Sequence, residues 1–585
     1  MKKYFRRPLS LTMVVMIVLS MAVFLSPVTV LAETYPEQEG INHTSPTAEG
    51  RVVDKSVYMD KSKPIEVRIK ALLDQMTLTE KAGQMMQLER PTNTNAKAFY
   101  IGSVLSGGGS VPNSTFGLSA ANGGDGMGNT VSGWLDSYDQ WQTAMDETPL
   151  GIPILYEIDA VHGTAHAPGT TIFPHASGAA SGSPELMEEI GRAVASEMRA
   201  LELYASFSPA IVMGQNPRWG RYHEGWGHDY ERNGIFGNYY DQGFRGGAPD
   251  RWDGLDTGDP GDKNQYAFLG GGSQVIGTMK HFTTEGSTVN GANAGNGFYY
   301  NPNFPIVGYG AYPSRLSLDQ LTNMKALKEL TPEQLKADPE VGQMLNAYRI
   351  MVEGGTRSLM PSYNYFNGLR MHEFTSMLNV IKKSVSEGGF GFTGFVVSDY
   401  NSGHGDPYGP SAAAAIQEYM EFFYGKSTHF DGSAFTQRQV RIAAFVNAGG
   451  DMDMAVSTTG WVADVVKLTQ SGVIPISRID DAVSRILRVK FELGLFDNPT
   501  LVEAAAGDTR SERLAAATAQ AKTQIRKPET VALARRAVRE SMVLLKNKDK
   551  VMETLKDVPG DKIMVTGRFA NNIGWQLGGW TRVWQ

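Results

Sequence analysis

The sequence predicts an α/β protein: a TIM-type (β/α)8 barrel followed by the start of an α/β sandwich domain. From Pro64 to about Pro499, apolar runs typical of buried strands alternate with amphipathic helices, which indicates a parallel sheet with helical crossovers. A barrel of this type needs about 250 residues, so this stretch has room for one barrel with long loops. Several of the apolar runs also end in polar or charged residues, as barrel strands do at the active-site face.

The residues at the ends of these runs are candidates for a site. Asp399 closes the run 394–400, and parallel strands would deliver it to the same face as the other strand-end residues. Those residues are Asp159 after 154–158, Arg218 after 205–209, Lys280 and His281 after 275–279, and Tyr363 after 358–362. Each one alone also fits a turn, a loop or the surface. Together in one pocket they suit chemistry on a neutral polyhydroxyl substrate.

The composition excludes several classes of function. The formal net charge of -7 argues against nucleic acid as a partner, because phosphate binding needs a basic surface. No cysteine occurs in the 585 residues, which rules out disulfides and thiolate metal sites. His162, His166 and His175 lack a His-Glu-x-x-His spacing, and the glycine runs lack the Lys-Ser/Thr of a phosphate loop. We therefore expect no metal and no other cofactor.

The first 32 residues have the pattern of an export signal. Lysines and arginines within residues 2–7 precede an apolar run at 9–25, and residues 30–32 are small or aliphatic, as cleavage positions require. An uncleaved membrane anchor is the alternative, because the run is slightly long for a signal. The pattern predicts a secreted, extracellular protein with no stable membrane partner once the signal is removed.

Two helices of the barrel are clearly encoded. Ser183 as N-cap and Pro184 as first residue begin one helix. Its apolar stripe comprises Leu186, Ile190, Val194 and Met198. The other is predicted to begin at Ser477, with Asp480 in a capping-box-like position, and to stop at Gly494. Both helices are expected to be scaffold.

The chain is divided by composition into a barrel domain at 33–500, a linker at 501–530 and the beginning of a second domain at 531–585. The linker is rich in Ala, Thr and Gln, and it is expected to be helical in part. A helix from Thr530 and a buried strand at 562–567 follow it. About 55 residues are too few to bury an independent core, so this domain is expected to be incomplete in this chain. Three barrel insertions are predicted at 106–129, 286–347 and 402–437.

Ten short motifs, in a fixed order along the chain, resemble those of glycoside hydrolase family 3, of the exo-acting β-glucosidase and β-glucan exohydrolase type. They are EKAGQM at 80–85, GSVLSGGG at 102–109, IDAVHG at 158–163, TIFPH at 171–175, NPRWGR at 216–221, KHF at 280–282, SD at 398–399, NAG at 447–449, IDDAV with RIL at 479–487, and GGWT at 578–581. The resemblance implies the barrel fold and a retaining mechanism.

The resemblance also implies roles for the charged candidates. Asp399 matches the nucleophile that attacks the anomeric carbon, and Asp159 matches the carboxylate on the far side of the sugar ring. Arg218, Lys280 and His281 match further ligands of the sugar hydroxyls. A nearby lysine and arginine would favour the ionised form of the nucleophile.

Three aromatic residues complete the implied site. Tyr363 matches an aromatic near the nucleophile, and Trp584 matches a tryptophan that stacks on the neighbouring sugar. Tyr400 stands where the β-glucan exohydrolases carry the opposing tryptophan, so a weaker grip on that sugar is expected.

The predicted function is retaining, exo-acting hydrolysis of terminal β-D-glucosyl residues from β-glucosides or β-glucan oligosaccharides, through a covalent glycosyl-aspartate. In the family, the acid/base glutamate follows the GGWT motif, so the chain is expected to lack it. A β-xylosidase of the same family and a sugar-binding fragment without turnover are the alternatives. A Schiff-base lyase that uses Lys280 is a further alternative, disfavoured because no phosphate loop accompanies the lysine.

Overall fold

The computed structural model describes residues 51–581, except 108–109, 113, 116–117, 120–127, 176, 247–274, 300, 302, 309–314, 405–411, 457–459, 555–563, 565 and 569. The predicted signal at 1–32 and Trp584 lie outside the described residues. An eight-stranded parallel sheet is the centre of the fold. Its strands are β1 (Met86–Glu89), β2 (Ser103–Ser106), β3 (Leu155–Ile158), β4 (Ala205–Ser206), β5 (Ile276–Phe282), β6 (Ser358–Pro361), β7 (Phe395–Val396) and β8 (Asp453–Val456).

The sheet closes into the predicted barrel. Each strand from β1 to β6 pairs in parallel with the next barrel strand along the chain, and β1 also pairs in parallel with β8. A parallel bridge between Val397 and Met452 joins the remaining edges, where the N–H of Ser398 donates to the carbonyl oxygen of Met452 over 2.8 Å. The carboxyl ends of all eight strands therefore lie at the same end of the barrel, which is called its mouth below.

Helices surround the barrel and cover its outer face. They are α1 (Ile65–Leu73), α2 (Leu78–Gln84), α3 (Asn93–Ala98), α4 (Val131–Asp146), α5 (Ser177–Ser181), α6 (Pro184–Arg199), α7 (Tyr230–Arg245), α8 (Leu318–Lys328), α9 (Pro332–Ala337), α10 (Pro339–Glu353), α11 (Thr375–Lys382), α12 (Ala413–Tyr424), α13 (Gln437–Ala448), α14 (Trp461–Gln470), α15 (Ile476–Glu492), α16 (Leu501–Ala504), α17 (Arg510–Gln524), α18 (Pro528–Glu540), α19 (Val551–Thr554) and α20 (Ile573–Leu577). No described helix is both long and apolar enough to cross a membrane.

Short elements stand between the barrel units. Three short strands form a small separate sheet, and another pair forms a hairpin. They are Asn296–Gly297, Tyr365–Phe366 and Leu369–Arg370 in the sheet, and Ser114–Thr115 with Leu118–Ser119 in the hairpin. The predicted insertion at 286–347 contains α8, α9 and part of α10.

The two predicted barrel helices are α6 and α15. The Ser183 side chain caps α6 by accepting from the N–H of Leu186 over 3.2 Å, as predicted. The predicted start of α15 is wrong by one residue: the helix begins at Ile476, after Pro475, without a side-chain cap. Asp480 instead forms an ion pair of 2.7 Å with Lys81, because that largely buried cation lies within its reach.

Strand β5 is longer than the sequence pattern predicted. Lys280 and His281 lie inside the strand rather than after it, because pairing with β6 continues to Phe282, opposite Pro361. The whole strand is buried. These two polar side chains are therefore held by a rigid element, which suits a role in positioning a ligand.

Residues 501–540 are largely helical and lie against the barrel. Arg510 bridges Asp136 and Asp139 of α4 at 2.6 Å each, and α17 buries Leu514 and Ala517. The buried strand predicted at 562–567 is not found in the described part of that range. Met564 there is in no strand and is 83% exposed. A strand needs a neighbouring strand to satisfy its backbone, and the described residues offer none at this place.

Candidate active site

Two carboxylates at the mouth of the barrel each face a basic side chain of β5. The Nζ of Lys280 lies 3.0 Å from Oδ1 of Asp159, which directly follows β3. The Nε2 of His281 lies 3.7 Å from Oδ2 of Asp399. The structure thus brings together four of the residues that the sequence analysis proposed for one site.

Asp399 is held in place through its backbone. Its N–H donates to Nε2 of His372 over 3.1 Å, and its Oδ1 accepts from the N–H of Tyr400 over 2.6 Å. Burial raises the pKa of the Asp399 carboxyl, while His281 and Arg221 act in the opposite direction. The Asp399 side chain is 13% exposed.

A buried carboxylate of β8 anchors the segment that carries Asp399. Oδ1 of Asp453 accepts from the hydroxyl of Ser398 over 2.8 Å, and its Oδ2 contacts Nδ1 of His404 over 2.5 Å. The Ser398 hydroxyl also accepts from the N–H of Met454 over 2.9 Å. Sequence reasoning missed Asp453, whose only signal is a charged residue at the start of an apolar strand.

The structure places Arg221 in the site instead of Arg218. Arg218 is exposed and is not brought together with the other candidates, so its assignment to the sugar site stays a prediction. Nη2 of Arg221 lies 3.4 Å from Nε2 of His281, and its guanidinium binds Glu224 and Glu285. Both arginines belong to the NPRWGR motif, and nothing within the motif distinguishes them. The carboxylates that bind Arg221, those of Glu224 and Glu285, lie outside the motif.

Glu285 and Glu224 form the outer part of this charged network. Oε1 of Glu285 accepts from Nη1 of Arg221 over 3.1 Å, and its Oε2 contacts Nδ1 of His281. Burial opposes the charge of Glu224, but Arg221 outweighs it and holds the pKa of that carboxyl well below its ordinary value. Burial likewise opposes the charge of Arg221, but the two glutamates outweigh it and raise the pKa of the guanidinium. The network keeps fixed positive charge beside Asp399.

Tyr363 and Tyr400 lie next to one another. The hydroxyl of Tyr363 donates to the carbonyl oxygen of Tyr400. The hydroxyl of Tyr400 donates to Oε2 of Glu89 over 2.6 Å. Burial raises the pKa of Glu89, which ends β1 and which the sequence analysis did not select. The same strand-end criterion that selected Asp159 could have found it.

An aromatic ring from the GGWT motif also reaches the site. Nζ of Lys280 lies 4.7 Å from the ring centroid of Trp580, and the guanidinium carbon of Arg221 lies 5.9 Å from it. Trp580 is 9% exposed. The sequence analysis proposed Trp584 as the aromatic of this segment and overlooked Trp580.

Two of the histidines considered for a metal contact each other. The rings of His162 and His175 stack with centroids 3.6 Å apart. Within the described ranges, no group of His, Asp and Glu side chains is arranged to hold a metal ion.

Residues 77–300 match the model of the glycosyl hydrolase family 3 N terminal domain. The chain is 26% identical over 540 residues to a lysosomal beta glucosidase of Dictyostelium discoideum, covering 88% of this chain and 52% of that protein. A beta-xylosidase of Formosa agariphila is 26% identical over 363 residues, with 61% of this chain and 40% of that protein covered.

Among solved structures, the exo-1,3/1,4-beta-glucanase of a Pseudoalteromonas species is similar with a TM-score of 0.64 and 28% identity. The match covers 90% of this chain and 54% of that one. The chain spans about half the length of the Dictyostelium and Pseudoalteromonas proteins. The matched model, these relatives and the closed parallel barrel agree: residues 77–300 belong to the glycosyl hydrolase family 3 N terminal domain.

Proposed function

We propose that this protein is a retaining, exo-acting glycoside hydrolase that removes terminal β-D-glucosyl residues from β-glucosides or β-glucan oligosaccharides. The observation that carries the proposal is the pair of carboxylates at the barrel mouth, Asp399 beside His281 and Asp159 beside Lys280. The relatives named as β-glucosidase and β-glucanase support a glucosyl substrate.

In the proposed mechanism, a carboxylate oxygen of Asp399 attacks the anomeric carbon and forms a glycosyl ester as the bond to the leaving group breaks. Water then cleaves this ester, which restores Asp399 and releases the sugar with its configuration retained. Asp399 must be ionised to attack. Arg221 and His281 favour that form against the effect of burial.

The sugar ring is proposed to be bound by the polar groups that surround Asp399. Asp159 and Lys280 form one side, and Arg221 and His281 form the other. Each charged hydrogen bond to a hydroxyl contributes about 1.5–3 kcal/mol. Tyr363 and Tyr400 would bound the pocket near the nucleophile, and a stacking role for Trp584 stays a prediction.

Retention requires a second carboxyl group that donates and later removes a proton. Glu285 is poorly suited, because its oxygens already face Arg221 and His281. Glu89, whose pKa burial raises, is the described carboxyl with the better environment for a proton donor. The expectation from the family resemblance, a glutamate beyond the GGWT motif, stays a prediction.

Chemical trapping tests the nucleophile. A 2-deoxy-2-fluoro-β-glucoside with a good leaving group should label one peptide, because the fluorine slows hydrolysis of the glycosyl ester. We expect the label on Asp399 and its loss in Asp399→Asn. Asp74→Asn, an exposed aspartate paired with Lys70, serves as the matched control and should be labelled normally. A label on any other carboxylate would overturn the assignment.

A β-xylosidase is the second candidate, because one relative carries that name. The two differ in whether the pocket accommodates the hydroxymethyl group of glucose. Comparison of kcat/KM for 4-nitrophenyl β-glucoside and β-xyloside decides between them. Preference for the xyloside would replace the glucosyl assignment without affecting that of Asp399. Export by the N-terminal signal also stays a prediction.

A further inference from the structure

We propose that His175 is a positioning residue: its hydrogen bond to the carbonyl oxygen of Gly579 holds Trp580 against Lys280. The stacked ring of His162 keeps His175 in place. The kinetic part of this proposal rests on the proposed function, because Lys280 is there a sugar ligand. Two of the histidines that the sequence places close together thereby acquire a role that needs no metal. Residues 578–581 are called the GGWT segment below.

The contacts converge on one carbonyl group. Nε2 of His175 lies 2.7 Å from Gly579 O, and Nε2 of His162 lies 3.1 Å from the same oxygen. The two imidazole rings stack at 3.6 Å with an interplanar angle of 25°. They belong to a segment more than 400 residues away in the chain, so the contact is purely tertiary.

The partners indicate which histidine donates to Gly579. A neutral imidazole has a single N–H. Nδ1 of His162 lies 2.6 Å from Phe173 O, which can only accept, so the proton of His162 is used there. The hydrogen bond to Gly579 O therefore comes from Nε2 of His175, and His162 keeps the ring of His175 in place by stacking.

The GGWT segment needs an external support because its backbone is unusual. Gly578 has φ +76° and ψ -167°, a combination that glycine alone adopts readily, and Trp580 has φ +58°. A Cβ at position 578 would lie 3.2 Å from Cδ2 of His175. The histidine therefore contacts the segment on both sides of its peptide link, at Gly578 and at Gly579 O.

The Trp580 ring lies against the ammonium group of Lys280. The ammonium of Lys280 lies between Asp159, at 3.0 Å, and the Trp580 ring, with its centroid at 4.7 Å. A cation over an aromatic face is stabilised by the ring, most strongly where water is excluded. Displacement of Trp580 would remove this wall and leave the lysine free to change its position relative to the sugar.

The charge state of the histidines fits this arrangement. Burial lowers the pKa of His175 to about 3, and the neighbouring His162 acts in the same direction. His223 faces His175 edge-on at 4.8 Å, and Glu224, itself bound by Arg221, is the nearby carboxylate. Near neutral pH, His175 is therefore uncharged and keeps the single Nε2 proton that the hydrogen bond uses.

A double-mutant cycle tests the kinetic role. His175→Phe keeps a ring but removes the donor, and His175→Gln restores an N–H. We expect His175→Phe to lower kcat/KM for 4-nitrophenyl β-glucoside about tenfold, with largely restored activity in His175→Gln. In a Trp580→Ala background, His175→Phe should have almost no further effect. An equal loss in both backgrounds would mean that His175 does not act through Trp580, and the proposal would fail.

Amide hydrogen exchange tests whether His175 holds the GGWT segment in place, and it needs no turnover of substrate. Exchange in the peptide that contains the GGWT segment should be faster in His175→Phe than in wild type, and near wild type in His175→Gln. His429→Phe is the matched control, because His429 is also buried but binds Ser471 and Gln439 elsewhere. If this peptide exchanges at the same rate in wild type and His175→Phe, His175 does not hold the GGWT segment in place and the proposal fails. Failure to hydrolyse any glycoside would instead contradict the proposed function and leave this readout intact.

Discussion

Asp159 and Lys280 form an ion pair of 3.0 Å across the mouth of the barrel, with side chains that are only 8% and 2% exposed. The partners come from different strands of the barrel, 121 residues apart in the chain. A buried ion pair of this kind contributes little net stability, but loss of one partner leaves an uncompensated charge.

Replacement of Asp159 by alanine is predicted to lower kcat/KM more than about tenfold, because it removes a charged hydrogen bond to the sugar and leaves Lys280 unpaired. Glucosides and glucan ends should be affected alike. Asp159→Asn, which keeps the shape, guards against a folding defect, and the exposed Asp74→Ala is the control. A change in thermal stability alone would show that Asp159 is scaffold.

Arg221 is predicted to set the acidic limb of the pH profile. The positive charge of Arg221 favours ionised Asp399, so Arg221→Met should move the limb of kcat/KM to higher pH. Arg221→Lys keeps the charge and should leave the limb nearly in place. Arg218→Met, in the same motif but exposed, is the control. A larger shift in Arg218→Met than in Arg221→Met would reverse this assignment.

The identity of the proton donor can be tested with leaving groups. A dinitrophenolate leaves without protonation, whereas cellobiose needs an acid. If the donor lies beyond the GGWT motif, this 585-residue chain should cleave dinitrophenyl β-glucoside and be nearly inert on cellobiose. Azide, which needs no base, should accelerate turnover and form a β-glucosyl azide.

Glu89→Gln and Glu285→Gln complete the test of the proton donor. If the donor lies beyond the GGWT motif, neither substitution should change the ratio of the rates on dinitrophenyl β-glucoside and on cellobiose. Full cellobiose hydrolysis by the wild-type chain, lost selectively in one variant whose turnover of dinitrophenyl β-glucoside is accelerated by azide, would identify that glutamate as the donor.

The pH dependence of stability is predicted from Glu157, which is buried inside the barrel. Burial raises its pKa to about 8, so the folded state holds a proton that the unfolded state loses above its ordinary value near 4.5. The contribution of Glu157 to stability should therefore fall as the pH rises from about 4.5 to 8.

Glu157→Gln removes this dependence and keeps an acceptor for Gln87 and Ser103. Urea unfolding at pH 6 and pH 9 should show the variant gaining roughly 1–3 kcal/mol over wild type at the higher pH, less than the full shift because only the part between pH 6 and about 8 is sampled. The exposed Glu147→Gln is the control. If the free energies of unfolding of the variant and of wild type differ by the same amount at pH 6 and at pH 9, the prediction is wrong.

Local patterns in the chain were enough to predict the barrel and four of the charged or basic residues that meet at its mouth. Alternation of strand and helix patterns predicted the parallel sheet, and Ser183 with Pro184 marked a helix start, because these signals depend on neighbours in the chain. Asp399 and Asp159 could be selected as candidates because parallel strands must end at the same face. The exact reach of β5 was not predictable, since pairing with β6 decides how far a strand extends.

Contacts between distant segments select which of several similar residues enters the site. Arg221 rather than Arg218 turns inward because Glu224 and Glu285 offer it buried charge partners. Trp580 reaches Lys280 because His162 and His175 contact the carbonyl of Gly579 from across the fold. These choices depend on electrostatic and hydrogen-bond partners that are distant in the chain, and local patterns of hydrophobicity carry no information about such partners.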